Sequence, residues 1–175
     1  MKKNIIAATL AAAALTSVSA VAADGQVKFT GEIIDAACTV TNSPANPLSV
    51  VMGKVAKSAF AQSGDKAAAT KFTLKLTDCP GTVSSATVKF DGTSVNGDNS
   101  ILALTQDAGT ATGVGIQLSD DSNTVLPLFT ASKSYALQSG SVINNLDFVA
   151  RYISTAASVT PGPANATANF SINYN

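Results

Sequence analysis

The sequence predicts an all-β domain with the architecture of a β-sandwich. Roughly eight to ten short segments alternate apolar and polar residues, and turn-forming residues separate them at short intervals. Helical periodicity is weak and confined to residues 54–62 in the chain after the leader. Many short strands with little helix are typical of a sandwich. At 175 residues the chain is long enough for one domain with its own core.

Residues 1–22 have the pattern of a secretory signal peptide. Lys2 and Lys3 precede an apolar run at residues 5–15, and small residues predict cleavage near positions 22/23. The run is too short for a membrane span, which takes about 20 residues, and no later stretch is long enough. Cleavage leaves nine of the 11 Lys and Arg residues against 11 Asp and Glu, a net charge of −2. We therefore expect an exported chain without a membrane span.

The first element of the mature chain is an alternating segment at residues 27–33. One face carries Val27, Phe29, Gly31 and Ile33, and the other carries Gln26, Lys28, Thr30 and Glu32. This period of two predicts a half-buried strand. No hairpin turn precedes it, so the strand is free to pair with something other than its own domain.

The next elements up to the second cysteine alternate less regularly. Residues 35–42 predict a second strand, or the first one continued past a kink, with Cys38 and Val40 on one face. Residues 48–52 predict a short strand. Residues 54–62 predict one or two helical turns, and residues 63–70 a loop. Residues 71–78 then alternate cleanly, which predicts a regular strand.

The second half of the mature chain predicts further strands between turns. Strands are expected at residues 86–90, 101–104, 113–119, 124–128 and 135–137. Residues 120–123 make a hairpin turn, and Pro127 places its strand at an edge or at its end. Residues 146–153 carry apolar side chains on both faces and are expected to be covered on both sides. Residues 168–175 form the last strand, with Ala168, Phe170, Ile172 and Tyr174 on one face.

The two cysteines, Cys38 and Cys79, predict a disulfide, because an exported chain meets an oxidising compartment. Two free buried thiols are the alternative. The chain has no histidine, so neither a histidine-assisted nucleophile nor a typical zinc site can be built. Asp120 and Asp121 lie in a predicted turn, where aspartate is common for backbone reasons. We expect no catalytic residues, metal or cofactor. With one arginine and no basic patch, a nucleic-acid partner is not expected.

Four segments together resemble one protein family. They are VKFTGEIIDAAC at 27–38, LKLTDCPG at 74–81, FVARYIST at 148–155, and ANFSINYN at 168–175 with its penultimate tyrosine. In this order, behind a signal peptide, they resemble the major structural subunits (pilins) of chaperone–usher fimbriae of the type 1 family. The resemblance implies an incomplete immunoglobulin-like sandwich that lacks its final strand. Residues 36–175 would form the sandwich, and residues 23–35 an N-terminal extension.

The resemblance also implies that such subunits assemble by donor-strand exchange, and pilin complementation is a known case of strand addition to a sheet edge. The donor strand would carry Val27, Phe29, Gly31 and Ile33, and the acceptor groove would be lined by Phe170, Ile172 and Tyr174. The carboxylate of Asn175 would meet basic residues of a periplasmic chaperone. The other expected partners are an outer-membrane usher and identical subunits. The subunit would pass through the periplasm to an extracellular fimbrium used in adhesion. A minor adaptor subunit, or a monomeric secreted binding module using the hairpin at 113–128, are the alternatives.

Overall fold

The computed structural model describes residues 24–34 and 37–175. The chain divides into two units, one ending at Ile33 and one running from Ile34 to Asn175. The predicted signal peptide, its cleavage site, Ala23 and residues 35–36 lie outside the described residues. Within the described residues, no helix is long and apolar enough to cross a membrane.

In the first unit, residues 24–33 have no regular secondary structure. The side chains of Val27, Phe29 and Ile33 are 76%, 91% and 97% exposed. The half-buried strand predicted over residues 27–33 is therefore absent from the single chain. A strand exists only where a neighbouring strand bonds its N–H and C=O groups, and alternation alone does not supply that neighbour.

The second unit has nine described strands in two sheets and one short 3-10 helix, Lys57–Ala59. The strands are β1 (Thr39–Val40), β2 (Lys66–Thr77), β3 (Ser85–Asp91), β4 (Ser94–Val95), β5 (Asp98–Leu102), β6 (Val114–Asp120), β7 (Tyr135–Ala136), β8 (Asn144–Ser154) and β9 (Asn169–Tyr174). One sheet has the order β1-β2-β8-β6-β5-β4 and the other β7-β3-β9. Every pair is antiparallel. The all-β prediction is confirmed.

The core lies between the two sheets and is built by the apolar faces of the alternating strands. Leu74 of β2 pairs with Leu146 of β8, and both side chains are fully buried. The ring of Phe148 on β8 lies 5.1 Å from the ring of Phe90 on β3, edge to face, so it joins the two sheets. Each such buried side chain contributes about 1.5–3 kcal/mol relative to an exposed one. As predicted, the late part of β8 is buried on both faces.

Three further predictions of local structure are wrong. Residues 48–52 form no strand, and Val51 is 80% exposed. The predicted loop at 63–70 supplies the first five residues of β2, because a bulge between Ala67 and Thr70 lets the ladder to β8 continue. Residues 124–128 follow the predicted hairpin turn but form only an isolated bridge, between Val125 and Ser119. Pro127 has no backbone N–H to donate to a strand ladder, so it limits how far residues 124–128 can pair as a strand.

Candidate functional site

The two cysteines form the predicted disulfide, Cys38–Cys79. Both residues are buried. The bond joins the residue before β1 to the end of β2, next to the pair Thr39 and Thr77. β1 contributes two residue pairs to the sheet, and the disulfide adds a covalent attachment beside them.

The last strand, β9, lies at an edge of the three-stranded sheet. Its neighbour β3 is the central strand, and the far side of β3 is covered by β7 and by Ala131, which bridges to Lys89. β9 itself pairs only with β3. Among the described residues, therefore, no strand lies along its second edge.

The backbone groups that β9 presents to this edge follow from its register. Asn175 and Ser85 exchange both backbone hydrogen bonds, at 2.9 and 3.0 Å. In an antiparallel ladder such hydrogen-bonded pairs alternate with pairs whose N–H and C=O groups point the other way. The N–H and C=O groups of Phe170, Ile172 and Tyr174 therefore point away from β3, towards the unpaired edge.

The side chains of the same segment form an incompletely covered apolar row. Every second residue from position 164 to 174 packs against the core but stays only half-buried: Ala164, Ala166, Ala168, Phe170, Ile172 and Tyr174. The ring of Phe170 lies 6.3 Å from that of Phe90. Burial raises the pKa of Tyr174. We call this row and the adjoining free backbone the β9 edge.

The C-terminus is held within the domain. One oxygen of the Asn175 carboxylate accepts hydrogen bonds from the backbone N–H groups of Ser84 and Ser85, at 2.8 and 3.0 Å, and from the Ser84 hydroxyl at 3.2 Å. No sequence pattern points to these two serines, because their role depends on the register of β3 and β9. This engagement leaves at most part of the carboxylate for the basic chaperone residues that the resemblance implies.

Asp120, the last residue of β6, and Asp121 lie in the turn that follows this strand. The Asp120 carboxylate accepts hydrogen bonds from the backbone N–H groups of Ser122 and Thr124, both at 2.9 Å. Asp121 forms an ion pair with Lys133, and this hydrogen bond lowers the pKa of Asp121. The two carboxylates thus have separate partners, as expected of turn-forming residues. Within the described part of the chain, no three metal-ligating side chains come together.

Comparison with known proteins places the chain among fimbrial subunits. The family model described as "Fimbrial protein" matches residues 27–175. A "Probable major fimbrial subunit LpfA" from Escherichia coli O157:H7 is 42% identical, covering 99% of this chain and 97% of that protein. "Long polar fimbria protein A" from Salmonella typhimurium is 38% identical, with coverage of 99% and 97%.

Solved structures agree with this result. A type I fimbria protein of Burkholderia pseudomallei is 38% identical, with a TM-score of 0.59 and coverage of 81% of this chain and 91% of that one. The P pilus rod subunit PapA is 24% identical, with a TM-score of 0.65 and coverage of 80% and 100%, which shows the fold alone. The predicted immunoglobulin-like sandwich of pilus subunits is confirmed.

Proposed function

This chain belongs to the fimbrial protein family, and we propose that it is the repeating subunit of a fimbrial shaft. In this proposal the exposed segment at residues 24–33 of one copy becomes the missing strand of the next copy. It adds to the β9 edge, and repetition of that contact builds the fibre. The role is structural and requires no catalytic residue.

The observation that supports this proposal most directly is the state of the β9 edge. A row of apolar side chains stays half-buried beside free backbone N–H and C=O groups, where a monomeric protein would be at risk of aggregation. Residues 27–33 have the complementary pattern: a row of exposed apolar side chains with the same two-residue period. An extended segment added to a sheet edge gains affinity from main-chain hydrogen bonds and specificity from alternate side chains.

The apolar contacts favour assembly. Covering the exposed side chains of Val27, Phe29 and Ile33 contributes roughly 4.5–9 kcal/mol, at 1.5–3 kcal/mol each. Main-chain hydrogen bonds add to this, and the lost conformational entropy of the segment opposes it. Gly31 allows the two backbones to approach closely at its position.

The same contact explains why the product is a filament. The donor segment and the β9 edge are different surfaces of one chain, so the contact is head to tail. A head-to-tail contact that does not close into a ring continues without limit. We infer accordingly that the partners are identical copies, with a periplasmic chaperone and an outer-membrane usher before assembly, and that the chain is exported to the periplasm and functions outside the cell in adhesion. The name of one solved neighbour refers to a chaperone–usher pilus, which supports this route.

Thermal unfolding with an added peptide tests the proposal. The variant lacking residues 24–33 is heated with and without a synthetic peptide of that sequence. We expect a large, slowly acquired rise in melting temperature, because the peptide completes the sandwich. A control peptide with Phe29→Ser and Ile33→Ser should give little rise. A monomer that unfolds cooperatively, with a melting temperature that neither peptide changes, would contradict the proposal and favour a self-contained binding module.

Fibre composition distinguishes the shaft subunit from a minor adaptor. If the chain builds the shaft, it is the most abundant protein in fibres sheared from the cell, whereas an adaptor is present in few copies. One relative, named as a probable major fimbrial subunit, favours the shaft. Deletion of residues 24–33 should leave a subunit that accepts a donor strand but cannot provide one. Normal fibres built from that deletion variant would contradict donor-strand assembly.

A further inference from the structure

An aromatic residue occupies a backbone position that suits glycine or asparagine. Residues 127–130 form a turn in which the N–H of Thr130 bonds the carbonyl of Pro127, at 3.2 Å. Its third residue, Phe129, has a φ of +64°. Gly and Asn are favoured at this position because a positive φ crowds an ordinary side chain, and a bulky residue there is an outlier. The Phe129 side chain is nevertheless 52% exposed.

The surrounding domain fixes this turn without needing the aromatic ring. The N–H of Leu128 bonds the carbonyl of Asn99 at 2.7 Å, and the N–H of Phe129 bonds the carbonyl of Phe90 at 2.8 Å. The Leu128 side chain is 2% exposed and anchors the turn in the core. All of these contacts would remain with glycine or asparagine at position 129. Strained positions that persist in this way concentrate at functional sites, and an exposed aromatic ring is a common anchor of protein interfaces.

The position of Phe129 in the sandwich indicates what the ring contacts. Phe90, whose carbonyl it bonds, pairs with Phe170 at the start of β9. A donor strand added antiparallel to β9, the more stable arrangement, would place its last apolar residue, Ile33, at this same end. Only residues 34–37 separate Ile33 from Cys38, where the donor's own sandwich begins.

These distances bring the second copy within reach of the ring. Four intervening residues hold Cys38 of the donor within about 18 Å of its Ile33. Phe129 bonds the side of β3 that faces away from β9, so its backbone lies about three strand spacings from the donor strand, about 14 Å. A domain of this size has a radius of gyration of about 14 Å, so the donor's body extends across that distance.

We propose that Phe129 packs against the sandwich of the donor copy, as a second contact between neighbouring subunits beside the inserted strand. This inference rests on the proposed function. The inserted strand completes the fold and determines whether fibres form. Phe129 fixes the angle between successive domains and determines how stiff the fibre is.

Site-specific photo-cross-linking in assembled fibres tests the contact. A benzoylphenylalanine is placed at position 129 of the full-length chain, and fibres are irradiated. We expect a cross-linked dimer whose second peptide comes from the sandwich of the neighbouring copy. The matched control carries the label at Lys71, which is exposed in the middle of β2, on the other sheet and away from both ends of the sandwich. It should give no such dimer. Fibres that cross-link from 71 and not from 129, or from neither, would overturn the inference.

A second variant removes the ring while keeping the turn. Phe129→Asn suits the left-handed backbone, so we expect normal fibre yield with a shorter persistence length in electron micrographs. Asn96→Gly, at another positive-φ turn without an apolar side chain, serves as the control and should leave persistence length unchanged. Unaltered stiffness in Phe129→Asn fibres would refute the contact. Failure of the unmodified chain to form any fibres would instead refute the proposed function.

Discussion

Removal of the disulfide should lower the stability of the domain by an amount that the structure determines. Cys38 and Cys79 are 41 positions apart. In the unfolded chain their bond closes a loop whose lost entropy is worth about 4 kcal/mol in the loop-closure model. Replacing both residues by alanine releases that entropy. For a domain of this size each kcal/mol shifts the melting temperature by about 2–4 °C, so we expect a fall of about 8–16 °C.

The packing around the bond favours the double substitution as a test. Both cysteines are buried, and alanine at both positions removes only the two sulfur atoms, without adding a polar group. A single substitution would leave one free thiol, and its reactivity would complicate the measurement. The β1 strand has only two residue pairs to hold this region once the bond is gone.

The measurement compares the mature double variant with the oxidised parent by calorimetry, with and without reductant. The parent should fall to the variant's melting temperature when its disulfide is reduced, and the variant should not respond to reductant. A double variant that melts within about 2 °C of the oxidised parent would refute the loop-closure reasoning, because less than about 1 kcal/mol would then be at stake.

Three further substitutions follow from local contacts. Gly162→Ala should lower the free energy of unfolding by about 1–3 kcal/mol, because its Cβ would overlap the carbonyl oxygen of Gly109. Gly81→Ala, which has open space around it, is the control. Equal melting temperatures of the two variants would contradict the predicted overlap. Burial, with the nearby carboxylates, raises the pKa of Tyr135. The neutral phenol is therefore favoured in the folded state, and stability should decline as pH rises above about 10; Tyr135→Phe should make that decline shallower in denaturant titrations, and an unchanged slope would refute the assignment. Arg151→Lys should lower the free energy of unfolding in urea by about 1–2 kcal/mol. One ammonium group cannot replace the guanidinium, which donates hydrogen bonds to the side chains of both Ser119 and Asn123. A variant as stable as the wild type would contradict this.

Much of the sandwich is encoded locally and could be predicted from the sequence. In β3 the alternation of apolar and polar residues matches the alternation of buried and half-buried side chains, and β2 and β9 follow it in part. Residues 48–52 failed as a strand because an apolar run predicts burial or pairing but does not specify a neighbour. The start of β2 was missed for a related reason: the left-handed Ala68 makes a bulge in a stretch whose small residues give no strand signal.

The candidate site also has a part that the sequence predicts and a part that it does not. The apolar residues at 27–33 and 170–174 are visible in the sequence because their period is local. The direction of the free backbone groups of β9 is not visible in the sequence, because it depends on the hydrogen bonds between Asn175 and Ser85. The strained backbone of Phe129 was also invisible, because hydrogen bonds to the distant carbonyls of Asn99 and Phe90, with the buried side chain of Leu128, impose it. Sequence patterns therefore predicted which side chains are available, and only the tertiary register showed where they could be used.

The pattern of the proposed donor strand also restricts how it can add to the β9 edge. A slip of one residue would turn Lys28, Thr30 and Glu32 towards the apolar row, and burying the charges of Lys28 and Glu32 would cost more than the contact returns. A slip of two residues keeps the correct face but puts Gly31 in the place of Phe29, so the part of the row that fits the phenylalanine ring stays uncovered and the ring moves to the place of Val27. One register is thus preferred over its neighbours by side-chain chemistry alone, and a chain that repeats this contact would acquire a constant spacing between subunits.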